Sequence, residues 1–148
     1  MTDIRYTAYH EAGHAVIALR LGYEVEKATI VRRQGVLGRV DVLPRTSPDD
    51  IKINLAGQLA EALVNSNDEQ IQLGAHRDWQ NARRSARKFV ALGFINSREK
   101  GILIDELLAE TTALVRRDRD AISRVAEALL ERKTLTGAEV RQIVEAVS

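Results

Sequence analysis

The chain contains no cysteine. That excludes disulfides and thiolate metal sites, so any zinc must be held by histidine and carboxylate alone. There is no run of about 18 apolar residues, the length a bilayer span needs, and the N-terminus shows no basic-then-apolar signal pattern. The expectation is a soluble, cytoplasmic protein with no membrane partner. A formal net charge of +1 offers no field to attract nucleic acid or an anionic surface. No G-x-x-x-x-G-K-[ST] loop is present to cradle phosphates, and no internal repeat or low-complexity tract interrupts the chain.

What remains is ordinary globular material. At 148 residues, 45% hydrophobic and 29% charged, the chain suffices for one core, and residues 1–148 are expected to form a single domain. Periodicity of three and four predicts an opening helix from near Asp3 to Leu21, with Ile4, Ala8, Ala12, Ala15 and Leu19 on one face and Gly22 as its stop. Val25 to Val31 and Val36 to Leu43, separated by Gln34-Gly35, predict a β-hairpin. Ser47 and Pro48 suit the start of a second helix through Ile51, Ile53, Leu55, Leu59, Leu63 and Val64. A polar loop over 65–72 leads to a helix over 78–92, whose basic stripe reads as solvated surface, and 94–101 reads as an irregular loop. Two or three helices finish the chain, the last behind a capping box of Thr136 and Glu139.

The chemistry concentrates in Tyr9-His10-Glu11-Ala12-Gly13-His14-Ala15-Val16, which uses two of the three histidines of the chain. Residues four apart share a helix face, so His10 and His14 can direct ring nitrogens at one ion. Glu11 beside them suits a general base acting on a water that the metal acidifies, the physical content of H-E-x-x-H. The bland alternative is a set of polar residues on a surface helix. Gly13 weighs against it, because an interior helix glycine costs about 1 kcal/mol relative to alanine and asks for a packing reason. Its bare backbone would admit a neighbouring element close to the site.

A catalytic zinc usually takes three protein ligands and keeps one position open. Spacing leaves the third among Asp78, Glu61 and His76. Asp78 is preferred as a short carboxylate at a helix entrance beside Trp79, although an acid there also complements the helix dipole. Glu61, set in Leu59-Ala60-Glu61-Ala62-Leu63, is either partnered by a ligand histidine or turned to water.

Four segments in order, Ala8 to Ala15, Leu55-Ala56-Gly57-Gln58-Leu59-Ala60-Glu61, Gly74-Ala75-His76-Arg77-Asp78 and Leu129 to Gly137, resemble the peptidase domain of the FtsH family of zinc metalloproteases. The resemblance covers nearly the whole chain. It implies a mainly α fold with a small β-sheet, Zn2+ held by His10, His14 and Asp78, Glu11 as base, and Glu61 orienting a ligand. His76-Arg77 and Arg83 depart from the family pattern, so the rim of the site is expected to differ. FtsH proteases carry a membrane anchor and an ATPase module ahead of this domain, and neither is expected here. The function implied is ATP-independent hydrolysis of unstructured or short polypeptides, with an ATPase acting in trans and a homo-oligomer as open partners. Two other readings stand beside it: a regulatory metallopeptidase specific to one partner, and a non-catalytic zinc-binding interaction module.

Overall fold

The computed structural model describes residues 4–31, 39–42, 49–65 and 97–147. In chain order these form α1 (Ile4–Arg20), β1 (Val25–Thr29), β2 (Arg39–Val42), α2 (Asp49–Asn65), α3 (Ser97–Arg117), α4 (Arg119–Arg132), β3 (Thr134–Thr136) and α5 (Gly137–Ala146). The predicted mainly α fold with a small sheet is what forms. The predicted turn at Gln34-Gly35, the Ser47-Pro48 start, residues 66–72 of the predicted loop and the helix over 78–92 lie outside the described residues, while Asn65, expected to open that loop, is the last residue of α2.

α1 is the central element, packed on α2, on α4 and on the sheet. Ala8, Ala12, Ala15, Val16, Ile17 and Ala18 are fully buried along it. Ile4, expected on the same face, is instead 41% exposed. The helix stops where expected. Gly22 has φ +89, and the N–H groups of Gly22 and Tyr23 donate to the carbonyls of Leu19 and Ala18, satisfying two of the last orphan acceptors in a Schellman arrangement.

α1 and α2 cross at very short range. A Cβ placed on Gly13 would lie 2.6 Å from the carbonyl oxygen of Ala56 and 2.6 Å from the Cβ of Ala60. The glycine of the H-E-x-x-H segment is therefore the point at which α2 touches α1, as its bare backbone implied. Tyr23 reinforces the crossing from the end of α1, its hydroxyl donating to Asp49 at the start of α2 over 3.0 Å.

β1 pairs antiparallel with β2, matching Val25 with Val42 and Thr29 with Arg39, so the two strands of the expected hairpin are present. A third strand was not expected. β3 pairs with the other side of β1, giving the order β2-β1-β3 and bringing Thr134 to Thr136 against Lys27 to Thr29. The short Thr-Leu-Thr segment offers too little alternation to announce itself, but its middle residue Leu135 is fully buried. α3 also corrects the sequence reading, which left 94–101 irregular. The helix starts at Ser97, and Gly101 lies inside it.

α3 and α4 meet at Asp118, whose carboxylate is 5% exposed and receives Arg20 from the end of α1 at 3.1 Å and Arg117 at 3.1 Å. This ties the α1 terminus to the α3–α4 corner. α5 begins with the predicted capping box. Thr136 accepts from the Glu139 N–H at 3.1 Å, and Glu139 accepts from the Thr136 N–H at 2.9 Å. Val140 and Val144 then dock in the core.

Two outcomes follow from this packing. Gly13→Ala should destabilise the protein by about 1–3 kcal/mol despite the better helix propensity of alanine, because the obstructing atoms include backbone. A urea midpoint equal to or above wild type would contradict it. Glu139 has its carboxyl held below its ordinary 4.5 by the Thr136 backbone N–H and hydroxyl, with Arg132 assisting. A depressed folded value means that this group stabilises above 4.5 and that the contribution disappears as pH falls through the lower folded value. Glu139→Gln should therefore be less stable than wild type at neutral pH, with the gap closing below pH 4.5 in denaturation curves.

Candidate metal and catalytic site

The site grows out of the close helix crossing. Because α2 lies against Gly13, His14 next to it and His10 three residues before it on α1 meet α2 directly. His14 donates from Nδ1–H to the main-chain carbonyl of Ile53 at 2.5 Å. A carbonyl can only accept, so this bond fixes the proton on Nδ1 and leaves Nε2 of the neutral ring as a lone pair. His10 turns its Nδ1 towards Glu61 Oε1 at 3.6 Å, beyond hydrogen-bond range, so the carboxylate favours a proton on Nδ1 by its charge alone. Glu61 is thus partnered by a histidine, one of the two alternatives its sequence context allowed.

The consequence is that both Nε2 atoms face each other, 2.9 Å apart, with the rings nearly perpendicular at 88°. Two lone pairs at that range repel unless a proton or a cation lies between them. Two imidazole nitrogens on one tetrahedral zinc would stand about 3.3 Å apart, given bond lengths of about 2.0–2.1 Å. The pair therefore fits a divalent cation with a shift of a few tenths of an ångström.

Glu11 follows His10 on α1 and is close enough to His10 and Glu61 to feel the charge of both. It is 6% exposed, and its Oε2 is buried without a hydrogen-bond partner among the described residues. Burial pushes its carboxyl from 4.5 to about 7, opposed by attraction to His10 and assisted by repulsion from Glu61. An orphaned carboxylate oxygen beside two convergent imidazoles suits a site that receives a cation and a water. His10 and Glu61 keep 26% and 30% of their side chains exposed, so the arrangement opens to solvent on one side.

Among the described residues no cluster of three metal-ligating side chains forms. The structure brings together His10, Glu11, His14 and Glu61, while Asp78 and His76 lie outside the described residues. One participant escaped the sequence reading. Gly57 of α2, quoted in the second family segment but given no role there, packs directly on the two imidazoles.

Comparison with known proteins bears on the same segments. The family model for Peptidase family M41 matches residues 2–99. The ATP-dependent zinc metalloprotease FtsH of Thermus thermophilus is 34% identical over an alignment covering 97% of this chain and 29% of the relative. FTSH 9 of Oryza sativa, a chloroplastic/mitochondrial ATP-dependent zinc metalloprotease, is 29% identical over 97% of this chain and 22% of its own length. The human ATP-dependent zinc metalloprotease YME1L1 is 30% identical, covering 94% of this chain and 22% of its own. The chain thus spans less than a third of each of these relatives. With the M41 model covering the H-E-x-x-H helix, the crossing helix and the start of α3, the chain belongs to peptidase family M41, the peptidase domain of FtsH proteases.

Proposed function

We propose that this chain is a zinc-dependent metalloendopeptidase that cleaves unstructured or short polypeptide segments without consuming ATP itself. The observation that carries the reading is the pair of Nε2 atoms held face to face by separate anchors on α2, with the buried Glu11 carboxylate next to them. His10 and His14 would hold the metal, with Asp78 as third ligand. When bound, zinc supplies the Lewis acidity that polarises a peptide carbonyl and lowers the pKa of water to about 7.

The side chains of this protein supply the rest. Glu11 removes a proton from the attacking water and delivers it to the leaving amine, a transfer that a carboxyl held near neutrality is suited to make. A cation at the two imidazoles would draw that carboxyl back towards its ionised, proton-accepting form. Glu61 orients His10 through Nδ1, and the Ile53 carbonyl does the same for His14. None of these steps draws on nucleotide energy. β2 is at one edge of the sheet and also touches α1, which suits alignment of an extended substrate by strand addition. Among the described residues no helix is long and apolar enough to cross a membrane.

The test uses the purified chain, zinc and an unfolded casein carrying a self-quenched dye. Wild type should release dye, lose activity to a chelator, regain it with zinc and show no response to ATP. Glu11→Gln should bind zinc yet cleave at least about 100-fold more slowly. Equal rates for the two proteins would remove Glu11 from its role, and no cleavage by zinc-loaded wild type would favour a binding module. Metal analysis should find about one zinc per chain, and Asp78→Ala should weaken zinc affinity at least about tenfold in a chelator competition. Unchanged affinity in that variant would exclude the aspartate as third ligand.

A further inference from the structure

α2 meets the histidine pair through residues four apart. Ile53 contributes its carbonyl to His14, Glu61 faces His10, and Gly57 lies between them. A Cβ on Gly57 would stand 2.5 Å from both Cε1 and Nε2 of His14 and 2.9 Å from Cε1 of His10. Real Cβ atoms essentially never approach within 3.0 Å of such neighbours. The contrast with Gly13 is informative. A Cβ there would strike the backbone and Ala60 of α2, so that glycine serves the helix crossing, whereas the three nearest atoms to a Cβ on Gly57 all belong to imidazole rings.

A second consideration points the same way. Side chains on a helix lean towards its N-terminus, so the residue at i+4 shields the carbonyl of residue i. Gly57 is four residues after Ile53, whose carbonyl His14 uses. A side chain at 57 would sit over that acceptor as well as against the ring.

We propose that Gly57 is the positioning residue of the histidine pair. Its missing side chain leaves the Ile53 carbonyl open to His14 Nδ1–H and keeps clear the space against His14 Cε1 and Nε2 and His10 Cε1, so that both rings can hold their places around a cation. Gly57 acts through the imidazoles and takes no part in bond-making. The inference rests on the metallopeptidase reading and deepens it.

The test compares wild type with Gly57→Ala by three measurements: thermal unfolding of the zinc-free protein, zinc affinity by competition with a fluorescent chelator, and imidazole 15N NMR of the zinc-free protein at about pH 8, above the ordinary histidine range. The variant should stay folded with a melting temperature equal to or above wild type, because alanine favours helix over glycine. Its zinc affinity should fall at least about tenfold, the scale for residues that orient metal ligands. Wild-type His14 should show a protonated Nδ1 and a lone pair on Nε2, and the variant a mixture of tautomers. Wild-type affinity in the variant, an unchanged His14 tautomer, or loss of the folded state each overturns the proposal, the last because it would assign Gly57 to helix packing. A wild-type chain that takes up no zinc overturns the metallopeptidase reading and this inference together.

Discussion

The approach of two helix backbones at Gly13 governs the chemistry of this domain. At an ordinary interaxial distance of about 8–10 Å, side chains fill the space between helices and main-chain carbonyls stay out of reach. Here Ala56 and Ala60 press on a residue with no side chain, and the backbone of α2 comes within hydrogen-bonding range of a histidine on α1. The ring of His14 is then held by a main-chain acceptor, which cannot change rotamer, and that of His10 faces a carboxylate. Small residues at the crossing and aligned imidazoles beside it are one feature viewed from two positions.

That alignment has an electrostatic cost. Glu11 is buried with an oxygen lacking any donor among the described residues, and Glu61 adds a second carboxylate to the same neighbourhood. Such groups persist in native structures where a ligand or a reaction uses them. The stability must come from elsewhere in the fold. It comes from the fully buried alanine and aliphatic stripe of α1, from the Asp118 carboxylate that gathers Arg20 and Arg117, and from α5 docked behind its capping box.

The sequence revealed some of this more readily than the rest, for physical reasons. The convergence of His10 and His14 was legible because facing along one helix depends only on the 3.6-residue period. The stop at Gly22 and the box at Thr136 and Glu139 were legible because each is settled within a few residues. Glu61 stayed ambiguous because its orientation depends on which face of α2 meets α1. Gly57 went unread because its reason lies across the interface, in rings belonging to another helix. β3 went unread because its pairing partner is more than a hundred residues away, and the start of α3 because polar residues and a glycine mask a helical beginning.

The pairing of β1 with β3 also bears on how the molecule assembles. Thr29 on the middle strand of the sheet finds its Thr134 partner only after the intervening chain, a separation of 105 residues, has been made. Closing so long a loop is slow and entropically demanding, so the wall behind α1 is completed among the last events of folding. A chain interrupted before Thr134 would therefore carry its paired imidazoles beside a sheet that still lacks β3.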